Sequence, residues 1–223
     1  MTKIVLIFHI LLFPFLCSIY AQDDARSQKI IDDMAAKLKT YPSVSLDFSA
    51  TVTSLQNKTE TEMEGKLWLK TNKYKIETSD FLLFFDGSKS YYYLTNENEV
   101  NVTKPDPNED GDDFQLFNPQ SYFNLSSKSF KSNLVKETVR NDRNVYEINL
   151  YPIQIKTARY SRIHIMIEKT TLQLVYLKAF MNDGTNYTLS FKPYQIHQNA
   201  LRDSFFIFNP VEYPGVEIID LTL

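Results

Sequence analysis

The sequence predicts a mainly β fold, with about ten to eleven antiparallel strands and a few short helices. Short apolar runs alternate with polar turns along most of the 223 residues, a length that suits one sizeable domain. Aromatic residues make up 14% of the chain, with 14 Tyr and 16 Phe, and aromatic side chains favour strands. Turn signals such as Asp86-Gly87 and Asn182-Asp183-Gly184 separate the runs, because Gly tolerates positive φ where the chain reverses.

The N-terminal residues predict an export signal. Lys3 supplies a positive charge, and Ile4 to Leu16 form an apolar stretch too short to span a bilayer. Ala21 fits the cleavage point, so we expect residues 1–21 to be a signal peptide and residues 22–223 to form one mature domain. Cleavage there would remove Cys17, the only cysteine. The alternative is an uncleaved N-terminal anchor.

The first mature segment predicts one helix followed by a long strand. Residues 24–41 place apolar side chains at helical spacing, with Asp24 as N-cap and Pro42 ending the helix. Residues 43–55 then alternate, with Val44, Leu46, Phe48, Ala50 and Val52 on one dry face. The helix stripe fits packing on a core as well as a position over the mouth of a barrel.

Residues 63–103 predict an antiparallel meander around which the fold is organised. Five short runs are separated by polar turns, and Asp86-Gly87 joins two of them. On the first run Met63, Gly65, Leu67 and Leu69 share a face, and Gly65 predicts a bend or bulge.

The second half predicts a loop, a lid and further strands. Residues 104–113 are acidic and contain two prolines, which predicts a solvated loop rather than a cation site. Residues 114–125 predict one or two short helices that could form a lid. Strands are then predicted over residues 128–140, 145–151, 159–168, 172–182 and 185–191, with residues 193–201 irregular and a closing segment at residues 205–210.

The sequence offers little chemistry for catalysis. His164 alternates with apolar residues on a predicted strand, which indicates a structural imidazole, and His197 lies near a predicted loop. No histidine pair has metal-ligand spacing, and no glycine-rich phosphate loop or nucleophile motif is present among only 5 Gly. We therefore expect no catalytic residue, no metal and no cofactor. The net charge of −3 argues against nucleic acid or an anionic membrane surface as a partner.

A series of motifs resembles the LolA family of periplasmic lipoprotein carriers, and the likeness runs in order through nearly the whole mature chain. The motifs are Gly65, the strand Leu67-Trp68-Leu69, the turn after Lys70, the run Phe85-Asp86-Gly87-Ser88-Lys89, the cluster Tyr91 to Tyr93, and the ending from Phe206-Ile207-Phe208-Asn209-Pro210 to Ile218. The resemblance implies an incomplete antiparallel β-barrel with short helices forming a lid. One departure is Thr71-Asn72, where the family often has an Arg-Pro whose Arg holds the lid closed.

The resemblance also implies a function and its partners. We expect a monomeric periplasmic carrier that takes acylated lipoproteins from an inner-membrane ABC transporter and delivers them to an outer-membrane acceptor. Apolar strand faces in excess of what the chain itself can cover would hide the acyl chains, because burying a methylene stabilises by about 0.8 kcal/mol. The predicted lipid-binding residues are Leu46, Phe48, Ala50, Leu67, Leu69, Tyr74 and Ile76.

Three other interpretations stay open at this point. The same seven side chains could simply fill a core, because alternation identifies a dry face without showing what covers it. An RseB-like sensor of lipids or lipoproteins would have the same fold, although such proteins carry a second domain. A barrel enzyme acting on a lipid would need a polar cluster inside the barrel, for example His164 beside two carboxylates.

Overall fold

The computed structural model describes residues 15–104, 118–123, 125 and 130–222. Two α-helices, α1 (Phe15–Lys39) and α2 (Gln120–Phe123), accompany thirteen strands in this part of the chain, and two short 3₁₀ helices span Asp203–Phe206 and Pro210–Glu212. The strands are β1 Ser43–Ser54, β2 Thr59–Lys70, β3 Lys73–Thr78, β4 Phe81–Phe85, β5 Ser90–Leu94, β6 Glu99–Thr103, β7 Phe130–Arg140, β8 Arg143–Pro152, β9 Tyr160–Glu168, β10 Leu174–Met181, β11 Thr185–Phe191, β12 Gln195–His197 and β13 Glu217–Asp220.

All thirteen strands belong to one sheet that does not close on itself. Its order is β13-β6-β5-β4-β3-β2-β1-β11-β10-β9-β8-β7, and β12 pairs with the start of β1. Neighbours are antiparallel except β13, which runs parallel to β6. Because β7 and β13 each pair on one side only within the described strands, the predicted class of an incomplete antiparallel β-barrel with helices on one side is confirmed.

Helix α1 covers the inner face of the sheet. Ile30, Ile31, Met34 and Ala35 are buried at helical spacing, which is the stripe that the sequence predicts. The described helix extends from Phe15 and includes Asp24 in its interior, so the prediction of Asp24 as N-cap is wrong. Among the described residues, no helix is long and apolar enough to cross a membrane.

The outer face of the meander is covered by the C-terminal segment, residues 201–216. Phe208 is buried there in a second apolar cluster, packed against Phe84, Tyr93 and Tyr213. Lys70 and Lys73 both contact the Asp203 carboxylate, at 2.6 and 3.0 Å. These hydrogen bonds hold the pKa of Asp203 below its ordinary value. The chain then returns to the sheet as β13.

Gly65 does not form the bulge that is one of its two predicted roles. The register between β1 and β2 is continuous through the Phe48–Gly65 pair, so no bulge occurs there. A Cβ at Gly65 would lie 2.5 Å from the carbonyl oxygen of Glu77 and 2.8 Å from the ring of Phe48. The glycine is therefore required because the Phe48 ring packs directly over it.

Two strands are missing from the sequence-based prediction, and two predicted segments lie partly outside the described residues. The predicted irregular stretch contains the short strand β12, and β13 follows the predicted closing segment. The acidic loop is described only at Lys104, and α2 is the described part of the predicted lid helices.

Candidate functional site

The candidate site is the apolar inner face of the sheet beneath α1 and α2. The seven residues predicted to bind lipid are all at most 9% exposed, and all belong to one core cluster. Leu46, Leu67 and Ile76 lie side by side on β1, β2 and β3. The structure thus brings the predicted residues together on one wall, and their binding of lipid stays a prediction.

This wall continues across the other half of the sheet, which the predicted set does not include. Buried aliphatic side chains of β8 to β11 extend it without a break: Ile148, Leu150, Ile163, Ile165, Ile167, Leu174, Leu177, Ala179 and Leu189. The alternation of Ile163, Ile165 and Ile167 in the sequence could have identified them. Both halves of the sheet form one core cluster with Ile30, Ile31 and Met34 of α1.

The polar contacts between α1 and the sheet are few in the described part of the chain. The hydroxyls of Ser27 and Ser132 form a buried hydrogen bond of 2.7 Å. Arg26 pairs with the Glu137 carboxylate of β7, which Lys169 also contacts. Hydrogen bonds from Lys169 and Arg26 lower the pKa of Glu137. Both ion-pair contacts are solvent-exposed, and exposed pairs contribute little to stability because water and salt screen them.

Helix α2 rests on the turn between β2 and β3. The Gln120 side-chain amide donates to the carbonyl of Thr71 at 3.3 Å, and Thr71 has φ of +50°. The Phe123 ring packs 5.4 Å from the ring of Phe191 and 6.0 Å from that of Tyr194. An amide–carbonyl contact therefore ties α2 to the turn in which the LolA family often has its Arg-Pro.

A cavity of about 100 Å³ lies between the end of α1, α2 and the adjoining ends of β1 and β2. It is lined by Leu38, Lys39, Tyr41, Ser43, Val44, Leu69, Thr71, Gln120 and Phe123. Of the seven predicted residues, only Leu69 borders it. Ligand pockets usually measure about 300–1,000 Å³, so the described interior is filled mainly by the chain's own side chains. A bulky apolar ligand would enter only by displacing part of α1 or α2.

Tyr74 is a titratable group within the wall, whereas His164 lies outside it. Burial raises the pKa of Tyr74 to about 12, so its hydroxyl stays protonated within the wall. His164 lies on the opposite face of the sheet from Ile163, where its Nδ1 is 2.9 Å from the side-chain oxygen of Asn149. One carboxylate, Glu147, lies 3.8 Å from its Nε2, and burial lowers the pKa of His164.

This geometry differs from the one that a lipid-modifying enzyme would need at His164. That interpretation requires two carboxylates beside the imidazole inside the barrel, whereas the imidazole lies outside the interior. Within the described residues, no group of three His, Cys, Asp or Glu side chains could hold a metal ion.

Comparisons with known proteins find similarity in fold and none in sequence. No family model matches the chain, and no curated protein matches it in sequence. The fold is similar to that of an uncharacterized conserved protein from Thermus thermophilus, at a TM-score of 0.55 and 10% identity, over 87% of this chain and 99% of that one.

Two further solved structures match at lower TM-scores. The lipoprotein LppX from Mycobacterium tuberculosis matches at a TM-score of 0.49 and 10% identity, over 80% of this chain and 100% of that chain. A LolA superfamily protein from Nitrosomonas europaea matches at 0.40 and 9%, over 82% and 97%. The open antiparallel sheet with a helix on its inner face is the architecture that the sequence predicts.

Proposed function

We propose that this protein is a periplasmic carrier that holds the acyl chains of lipoproteins against the inner face of its open sheet. The observation that carries the proposal is that a continuous apolar wall is covered by helices rather than by a second sheet. A helix held by few polar contacts can move away while the sheet keeps its backbone hydrogen bonds. The wall would then be available to an apolar ligand.

Replacing the α1 side chains by acyl chains on the inner face of the sheet requires little net free energy. Ile30, Ile31 and Met34 of α1 each stabilise the closed form by about 1.5–3 kcal/mol through burial, or about 5–9 kcal/mol together. At about 0.8 kcal/mol per methylene, roughly 6–11 methylenes of an acyl chain would compensate for their displacement. Loading and release are therefore close to balanced, so the donor and the acceptor decide the direction of transfer.

The partners follow from the same proposal. An inner-membrane ABC transporter would supply the energy for loading, and an outer-membrane acceptor would offer the acyl chains a better environment. The predicted signal peptide, residues 1–21, would deliver the domain of residues 22–223 to the periplasm as a monomer. In transit the closed wall would keep the acyl chains out of water.

The cargo can be tested by purifying the protein from periplasm and identifying bound molecules by mass spectrometry. Acylated lipoproteins should be recovered, and substitution of a wall residue such as Leu67→Ser should reduce their amount. Recovery of free phospholipid alone, or of no ligand, would contradict the cargo.

Movement of α1 away from the sheet can be tested with a reversible cross-link. The Ser27 and Ser132 hydroxyls are 2.7 Å apart, so cysteines at both positions, in a Cys17→Ser background, should form a disulfide when oxidised. Oxidation should abolish uptake of a fluorescent fatty acid, and reduction should restore it. Each single cysteine variant serves as a control. Undiminished uptake by the cross-linked protein would show that α1 does not need to move for the ligand to bind.

A further inference from the structure

A cavity of about 730 Å³ lies on the outer face of the meander, between the sheet and the C-terminal segment. Lys75 of β3 and Phe84 of β4 line it on the side of the sheet, and residues between 201 and 213 form the rest of the lining. Its volume falls within the range of about 300–1,000 Å³ that is usual for ligand pockets. Leu67 and Ile76 of the inner wall lie on the opposite face of the sheet, so a ligand here would not compete with α1.

The walls of this outer cavity are already fixed by contacts. The Phe208 ring, which is 5% exposed, stacks on the Tyr213 ring with 4.7 Å between centroids and meets the Phe84 ring at 5.9 Å. The Lys70 ammonium donates to the Asp203 carboxylate and so holds the start of the C-terminal segment. Because the segment is ordered in advance, a ligand can bind without a large ordering cost.

The apolar part of the outer cavity is open to a ligand. Ile207 is 42% exposed although it lines the cavity, and the Phe205 ring is partly exposed beside it. The Lys75 ammonium lies 5.2 Å from the centroid of the Phe205 ring and 5.1 Å from that of the Phe84 ring. Since Lys75 also pairs with Glu77 at 3.0 Å, its charge is already satisfied and it holds the rings in place.

Arg202 supplies the charge that a ligand can use. It is exposed at the cavity, and its guanidinium has no ion pair or hydrogen bond with the residues that the structure describes. The neighbouring Asp203 carboxylate is engaged by two lysines, and the Glu212 carboxylate of the lining accepts from the Asn209 amide at 2.9 Å. An anionic group would therefore find unused donors on Arg202, whose planar guanidinium matches a carboxylate.

We propose that this outer cavity binds a small monoanionic amphiphile, with its carboxylate on the Arg202 guanidinium and its apolar body against Phe205 and Ile207. A cationic ligand would be repelled by Arg202, and a neutral one would leave the guanidinium without a partner. The enclosed volume suits a small molecule, whereas a protein partner would need a wider surface. This inference goes beyond the carrier function and does not depend on what the inner face of the sheet binds.

The experiment uses the full chain with Ser27→Cys and Ser132→Cys in the Cys17→Ser background, oxidised so that α1 stays on the sheet. The probes are ω-bromoundecanoic acid and the matched alcohol, ω-bromoundecanol. Trp68 is the reporter, because it is the only tryptophan and its ring lies 5.5 Å from the Phe205 ring. Bromine quenches an indole that it approaches closely, so quenching reports occupancy of the outer cavity.

We expect the acid to quench Trp68 saturably in the oxidised protein. Arg202→Gln should weaken its binding by about fivefold, which is the upper range for an exposed ion pair. The matched control is Lys131→Gln, an exposed cation on the distant edge strand β7, and it should leave binding unchanged. The alcohol should bind less tightly than the acid, and equally to the Arg202→Gln variant and the unsubstituted protein.

The absence of saturable quenching in the oxidised protein would overturn the proposal. Equal affinities for acid and alcohol, or equal weakening by Lys131→Gln, would do the same. Quenching that appears only after reduction would place the acid on the inner face, in support of the carrier function and against the outer site. Quenching in the oxidised protein, together with failure to recover lipoproteins, would support the outer site and contradict the carrier function.

Discussion

Substituting Ile31 by Ala in α1 should strengthen ligand binding while it weakens the fold. Ile31 is 2% exposed beneath the helix, and truncating such a side chain costs about 2–5 kcal/mol. If α1 leaves the sheet when ligand binds, Ile31 contacts the sheet in the closed form only. Losing that contact therefore raises the population of the open form. Apparent affinity scales with that population, and about 2 kcal/mol corresponds to about thirtyfold tighter binding.

The matched variant is Leu46→Ala, because Leu46 is 1% exposed on the wall that both forms share. It should lose similar stability without any gain in affinity. Fluorescence titration with a dansyl-labelled fatty acid measures binding, and urea denaturation confirms that each variant is folded at the titration temperature. Met34→Ala, a second truncation of α1, should repeat the gain. Unchanged or weaker binding by both helix variants would refute competition between lid and ligand.

Three further predictions concern the sheet and the C-terminal segment. Gly65→Ala should destabilise the protein by about 1–3 kcal/mol, measured by chemical denaturation, because the new methyl group would overlap the Phe48 ring. The lowered pKa of Asp203 means that its contribution to stability is present above the ordinary aspartate pKa and is lost as the pH falls below it. Asp203→Asn should remove the part of the loss of stability at low pH that is due to Asp203. A pH profile of thermal unfolding identical to that of the unsubstituted protein would contradict this prediction. Phe208→Ala should cost about 3–5 kcal/mol and increase amide hydrogen exchange in β13, with protection of β9 serving as the internal control.

Some features could be predicted because they repeat at short range. The alternation of Val44, Leu46, Phe48 and Ala50 depends only on the two-residue period of a strand, and all four are buried on one face. Most turns were likewise predictable, since Gly87 and Gly184 adopt the positive φ that their sequence context indicates.

Other features depend on residues far apart in the chain. The requirement for glycine at position 65 depends on the register between β1 and β2, because the ring that excludes a side chain there belongs to Phe48. The sequence does not predict strand β13, because its partner β6 lies more than a hundred residues earlier and a parallel pairing leaves no turn signal.

By itself, the sequence determined that this chain builds an antiparallel sheet with one dry face, because strand periodicity and turn chemistry are local. Only the tertiary structure decided that α1 and α2 cover that face and leave a cavity of about 100 Å³. It also decided that the C-terminal segment covers the opposite side, through Phe208 and Asp203. Periodicity shows which side chains avoid water, whereas packing between distant segments decides what they touch.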